Sequence, residues 1–326
     1  MKSCSKEAGE EKMTQIISVL GSYINQLIRS TIIVSKLEGI KATGILINVI
    51  SNENISIIVP VVANILRICL SGNDPTVLKL SSKYLGDFAR IENKLVTDCV
   101  LFELGLAIEW LRDNYEFRRL AAILILKEVA INASTFFYRV IKDYFEGMWP
   151  TLRDSKPEIF EAAREVLREA IRLVGERGQA SLYYKKIFED VRNGLKSSTP
   201  QIVHGSVLAL FELLRNPQDK GFMQEKFANI CTTVINLKDS KDRRINMTIL
   251  QLIPQLATYN EELFKEKFLE KIIVHMLDVL KKGQRETEVV LGSIGDLAVV
   301  LVIISFFIPI IFFLFHFIFI IAFFFF

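Results

Sequence analysis

One pairing recurs along this chain at a nearly constant interval, and that interval limits the folds open to it. A small or short residue is followed four positions later by a large aliphatic one at Ala42/Leu46, Ser81/Leu85, Ala122/Leu126, Ala163/Leu167, Ser206/Leu210, Thr248/Leu252 and Val290/Ile294. Successive first members stand 39, 41, 41, 43, 42 and 42 residues apart. The last pair is the weakest match. A spacing of four puts both members on one face of a helix, where the small residue admits a neighbour and the aliphatic one fills the space beside it.

A turn-prone or charged segment precedes most of these anchors: Asn73-Asp74-Pro75, Asp113-Asn114, Asp154-Ser155-Lys156-Pro157, Ser198-Thr199-Pro200 and Asp239-Ser240-Lys241-Asp242. Asp, Ser and Asn accept bonds from the orphan amides of a helix start, and Pro suits the first turn. A second amphipathic segment lies between anchors, over residues 92–111, 135–152, 181–196, 222–237 and 261–281. In the last, Phe264, Phe268, Ile272, Met276 and Leu280 recur every four residues among Lys and Glu. Only 16 Gly and 8 Pro in 326 residues agree with long helices and short turns. Helix, turn, helix at about 40 residues exceeds ankyrin and tetratricopeptide units and suits HEAT or armadillo units; two helices per unit favour HEAT. The expected fold is all-α, a HEAT-type α-solenoid of about seven helix-pair repeats with an apolar C-terminal tail. Each unit would bury its apolar faces against its neighbours.

The ordered series of local sequences resembles the N-terminal HEAT region of target of rapamycin (TOR) serine/threonine kinases. It runs through Gly72-Asn73-Asp74-Pro75 to Leu85-Gly86, Phe102-Glu103 to Glu109-Trp110-Leu111, Arg118-Arg119-Leu120-Ala121-Ala122 and Leu126-Lys127-Glu128-Val129-Ala130. It continues through Thr135-Phe136-Phe137-Tyr138, Ile202-Val203-His204-Gly205, Glu225-Lys226-Phe227 and Met247-Thr248-Ile249-Leu250 with Leu256-Ala257. The resemblance covers residues 37–298 and is weak before Leu37. Pro60 departs from it inside a helical stretch, where a kink is expected. The link from Asn216 to Gly221 is shorter than the long loop of some members. The resemblance implies a protein-binding scaffold within a much longer kinase, docking raptor- and rictor-type subunits in growth and nutrient signalling. It implies a cytoplasmic location.

The chain itself shows no catalytic chemistry. Phosphoryl transfer needs a metal-binding Asp, a catalytic-loop base and a phosphate-contacting Lys or Gly-rich loop. No His-Arg-Asp, Asp-Phe-Gly, P-loop or Gly-x-Ser-x-Gly pattern occurs. His204, His275 and His316 lack a second His or Cys at ligand spacing, and His204 and His275 are expected on helix surfaces or half-buried. Cys4, Cys69, Cys99 and Cys231 lie far apart and are expected as reduced thiols, the last three packed as small apolar groups. No enzyme, cofactor or metal site is therefore expected. Forty basic against 37 acidic side chains argue against a nucleic-acid partner.

Basic residues recur on the anchored helices at Lys41, Lys79, Lys83, Arg118, Arg119, Arg164, Arg168, Arg243 and Arg244. Two alternatives stand: a stripe for an acidic segment of a partner, and pairing with Asp and Glu between repeats together with ordinary solvation. Arg118, Arg119, Arg164, Arg168, Arg243 and Arg244 are the candidate partner-binding residues. Trp110, Phe136, Phe137, Tyr138, Tyr144, Phe145 and Trp149 form an aromatic band that helical spacing assigns mainly to the core.

Composition changes abruptly at the end. No charged residue follows Asp296, and 11 of the 24 Phe lie between Phe306 and Phe326. Thirty such residues exceed the roughly 20 that span a bilayer. The tail therefore reads as a membrane anchor or as translated non-coding sequence; Pro309 and the four closing Phe favour the second. The expected division is a polar segment 1–12, a solenoid 13–298 and the tail 299–326. Against the TOR resemblance stand a tail-anchored HEAT adaptor and a karyopherin- or phosphatase-scaffold-like solenoid. The basic anchored helices count against a karyopherin, whose inner helices tend to be acidic.

Overall fold

A computed structural model describes residues 2–216, 220–281 and 287–301. Every regular element among them is helical, with no strand. The chain divides into two compact units, residues 1–178 and 179–326.

The first unit opens with α1 (Lys2–Ile28), which takes up most of the polar opening segment. Then come α2 (Ile33–Asn48), α3 (Ile55–Leu70), α4 (Pro75–Phe88), α5 (Lys94–Trp110) and α6 (Glu116–Asn132). Three short helices follow, α7 (Ser134–Arg139), α8 (Ile141–Gly147) and α9 (Trp149–Leu152), before α10 (Pro157–Glu176). The second unit holds α11 (Ala180–Gly194), α12 (Pro200–Arg215), α13 (Lys220–Asn236), α14 (Arg243–Tyr259), α15 (Glu261–Lys267), α16 (Leu269–Lys281) and α17 (Thr287–Val300).

All seven anchors fall within helices: α2, α4, α6, α10, α12, α14 and α17. These helices pack on one another in chain order within each unit, α2 on α4, α4 on α6 and α6 on α10, then α12 on α14 and α14 on α17. Every anchor residue except Ala42 is buried, Ala122, Leu126, Ala163, Leu167, Ser206 and Leu210 completely. Where the small residue is polar it satisfies itself. The hydroxyls of Ser81, Ser206 and Thr248 donate to the carbonyls of Val77, Ile202 and Arg244 at 2.8, 2.8 and 2.9 Å. Burial then leaves no orphan donor. Glycine serves the same close approach at Gly44, where a Cβ would land in the ring of Tyr84, and at Gly194, where it would meet Ser206. Each unit is a stack of helical hairpins, the arrangement of a HEAT-type α-solenoid.

The segments before the anchored helices start them as expected, with one refinement. Asp74 and Asp242 cap α4 and α14 directly, accepting from Thr76 and Val77 and from Arg244. Before α2, α6, α10 and α12, and also before Asp242 of α14, an acceptor lies two residues before the cap. Ser30, Asp113, Asp154, Ser197 and Ser240 each accept the amide two positions on, at 2.7–3.2 Å. That side-chain turn delivers the chain to the helix in an extended conformation. Pro75, Pro157 and Pro200 occupy the first helical position.

Three expectations change. The segment 135–152 is three short helices rather than one. Pro150 has no N–H to give the Glu146 carbonyl, so the ladder breaks there, and Arg112 Nη2 donates to that carbonyl instead at 2.6 Å. The segment 261–281 is interrupted at Phe268, although Phe268 and Ile272 still donate to carbonyls four residues back. Conversely α3 runs through Pro60 unbroken. Pro60 and Ser56, whose carbonyl loses its helical partner, are both exposed, so that carbonyl is open to solvent rather than buried unpaired.

At the far end, α17 continues past Ala298 to Val300, and Leu301 is buried. The rest of the apolar tail, residues 302–326, lies outside the described residues. No described helix is long and apolar enough to cross a membrane.

Candidate protein-binding surface

The six candidate arginines divide according to what their guanidinium groups touch. Arg119, at the start of α6, is largely buried. Its Nε donates to Asp154 Oδ2 at 2.7 Å and its Nη1 to the carbonyls of Asp113 and Asn114 at 2.8 and 3.0 Å. Asp154 is itself buried and accepts the Lys156 amide with its other oxygen. One side chain thus ties the turn before α6 to the turn before α10. Arg244 is held in a fork by Asp242, at 3.2 and 2.7 Å. Arg244 in turn holds the Asp242 carboxyl below its usual range, chiefly by that hydrogen bond. Arg164 is mostly buried beside Glu161 at 3.9 Å. Arg119, Arg164 and Arg244 therefore belong to the frame. Arg118 is exposed, paired with Asp113 at 2.9 Å and lying 5.9 Å from the Trp110 ring centroid. Arg243 is exposed and Arg168 half-buried.

Other charges also link repeats. Lys127 on α6 pairs with Glu165 on α10, and Lys156 reaches Glu116 at 3.4 Å. On the second helices, Arg67 of α3 donates to Glu103 of α5 at 2.9 Å while stacking 4.0 Å over Phe102. Burial pushes the Glu103 carboxyl up, and Arg67 opposes that shift. Within the stripe itself, Arg119 pairs across repeats, whereas Lys41, Arg118, Arg164 and Arg244 pair with carboxylates of their own repeat.

The aromatic band splits the same way. Phe137, Tyr144 and Phe145 are core, with ring centroids 5.5 and 5.7 Å apart in sequence. Trp110, Phe136, Tyr138 and Trp149 are half-exposed, and each lies under an arginine: Arg118, Arg139, Arg177 and Arg153. These flat side chains with cations above them are the type of surface that dominates protein interfaces.

His204 was expected half-buried or at the surface and is instead buried between α12 and α14. Its Nε2 lies 3.1 Å from Thr248 Oγ1, whose own proton goes to the Arg244 carbonyl. Nε2 therefore carries the hydrogen and donates. Cys69 and Cys231 are buried, and burial pushes their thiols up to about 11 and about 12. No group of three His, Cys, Asp or Glu side chains able to hold a metal occurs among the described residues. The pattern of the anchored helices gives no sign of the cations Arg67, Arg192 and Lys226 on the second helices, or of Lys196 just past the end of α11. The signal for them was the apolar stripe at i, i+3, i+4 and i+7 that runs beside each.

No protein-family model matches the chain. Individual proteins do. It is 31% identical over 299 residues to the serine/threonine-protein kinase tor1 of Schizosaccharomyces pombe, covering 91% of this chain and 13% of that protein. The chain is homologous to an N-terminal stretch of the TOR serine/threonine kinases. The TOR kinase of Arabidopsis thaliana is 31% identical over 280 residues, 85% of this chain and 11% of that protein. TOR2 of Saccharomyces cerevisiae is 28% identical over 316 residues. The chain thus spans about an eighth or less of the length of these curated TOR relatives. Among solved structures, Kap95p in its complex with RanGDP superposes with a TM-score of 0.64 at 13% identity, over 88% of this chain and 35% of that one. Kap121p bound to RanGTP gives 0.62 at 13% identity, over 89% and 30%. At such identity the likeness is one of fold, and it agrees with a HEAT-type solenoid.

Proposed function

We propose that this chain is a protein-binding scaffold of a TOR-type kinase, holding partner subunits in growth and nutrient signalling while itself transferring no phosphate. The carrying observation is the homology to TOR kinases across 91% of the chain, joined to a repeat fold that offers long helical surfaces. The matched stretch is a small part of proteins named for kinase activity, and the described residues are spent on inter-repeat packing and pairing. The partners implied by the TOR resemblance are raptor- and rictor-type subunits, met in the cytoplasm. Residues 13–298 carry the binding in this account, with the polar segment 1–12 before them, and the apolar tail 299–326 is dispensable for it. Arg118 and Arg243, together with the half-exposed aromatics of the first unit, are the surfaces that would meet them. Arg168 adds to these where it reaches solvent.

The test is co-expression of the affinity-tagged full chain with raptor- and rictor-type subunits, followed by capture. Stoichiometric recovery of either subunit, with no transfer of labelled phosphate from Mg-ATP to a peptide substrate, is expected. Recovery of neither subunit contradicts the scaffold function. Phosphate transfer by the purified chain contradicts the division of labour.

A further inference from the structure

Second helices stack differently in the two units. In the first, α3 packs against α5; in the second, α11 and α13 approach each other less closely. Between them lies a groove enclosing about 220 Å³. Each wall is a helical stripe at i, i+3, i+4 and i+7. Phe188, Val191, Arg192 and Leu195 come from α11 and its end, and Lys226, Asn229, Ile230 and Thr233 from α13. Leu210 of α12, an anchor residue, forms the floor. At one end the edge-to-face rings of Phe188 and Phe222, 5.2 Å apart, join the two helices.

The lining is apolar below and cationic at the rim. Phe188, Val191, Leu195, Leu210 and Ile230 are buried, whereas Arg192, Lys196 and Lys226 reach solvent, and no carboxylate lines the groove. Arg192 and Lys226 have outward neighbours in Glu189 and Glu225, at 2.6 and 2.5 Å. Such exposed pairs are weak, so a carboxylate brought by a partner competes with them readily. The volume falls below the about 300 Å³ at which small-molecule pockets begin. It has room for apolar side chains projecting from a peptide.

We propose that this groove docks an acidic, apolar segment of a partner protein, its Leu or Phe side chains entering between α11 and α13 and its carboxylates meeting Arg192, Lys196 and Lys226. The proposal deepens the scaffold function and rests on it. The test is fluorescence anisotropy with the full chain and a labelled 14-residue peptide carrying Leu and Phe one helical turn apart among Asp and Glu. A control peptide has every Asp and Glu replaced by Asn and Gln. The acidic peptide is expected to bind at least about tenfold more tightly than the control. Lys196→Glu with Lys226→Glu should remove at least another factor of about ten, Lys196→Gln with Lys226→Gln less, and Ile230→Asp should also weaken binding. Unchanged circular dichroism confirms that these variants are folded. Equal binding of both peptides, or indifference to the lysine reversals, overturns the proposal. Subunit capture is scored in parallel. Peptide binding without capture removes the TOR-complex partners and supports the groove; capture without peptide binding overturns the groove alone.

Discussion

Replacing Arg119 by methionine separates the two roles open to the basic stripe. Methionine keeps an apolar stem but removes the guanidinium that serves Asp154 and two carbonyls. The Asp154 side chain is only 2% exposed, so its carboxylate would remain buried with one amide donor. Removing one member of a buried pair costs about 3–5 kcal/mol. Arg119 is 18% exposed, and water near the Asp113 and Asn114 carbonyls replaces part of what is lost, so the low end, about 3 kcal/mol, is expected. Arg118 is the internal control: 55% exposed and paired at the surface, it should cost about 0–1 kcal/mol as methionine. The chain has two tryptophans, Trp110 and Trp149, both in the first unit, so their fluorescence during urea unfolding reports that unit alone. With a urea dependence of about 3 kcal/mol per M, Arg119→Met should lower the midpoint by about 1 M and Arg118→Met by about 0.3 M or less. In the double variant Arg119→Met with Asp154→Leu the loss should be less than additive. Equal, small shifts for Arg119→Met and Arg118→Met would refute the assignment of Arg119 to the frame.

Ala163, fully buried beside Tyr144, whose hydroxyl donates to its carbonyl at 3.4 Å, should lose about 1–3 kcal/mol of stability on Ala163→Phe, read as a lowered thermal midpoint. Because burial raises their thiols, Cys69 and Cys231 should resist iodoacetamide in the native chain at pH 8 and react only after unfolding, as mass spectrometry of the labelled peptides shows. Glu103 takes up its proton more readily folded than unfolded, so its contribution to stability should fall as pH rises from the ordinary glutamate range through the folded value. Glu103→Gln should flatten that part of a stability-against-pH curve. Truncation after Leu301 should leave the amide protection of α17 unchanged and raise solubility, whereas a cut after Ala298, which exposes the end of α17, should fray that helix in amide exchange.

The period of the anchors located all seven anchored helices, because a small residue one turn before an aliphatic one suits a close helix crossing, as at Ala122 and Ala163. The turns were legible for the same reason: Asp154 and Ser240 have few other uses immediately before a helix. What could not be read was the partner of each charge. Arg119 and Arg118 are neighbours of one type, yet a rotation of about 100° along the helix turns one inward to Asp154 and leaves the other in solvent. His204 was misjudged because a lone histidine gives no sign of a hydroxyl 44 positions away that will accept its proton. The breaks at Val140 and Phe268 likewise fall within an apolar stripe that runs on unbroken, so the pattern does not mark them. The α11–α13 groove arises from how far two helices stand apart, and no local pattern records that distance.

The anchored helices, packed on one another in chain order, should form the stable row of each unit. Native-state amide hydrogen exchange of the full chain tests this residue by residue. Protection should reach its maxima in α2, α4, α6, α10, α12, α14 and α17, recurring about every 41 residues, with lower values in α7 to α9 and α13. A flat profile, or maxima centred on the second helices, would contradict it.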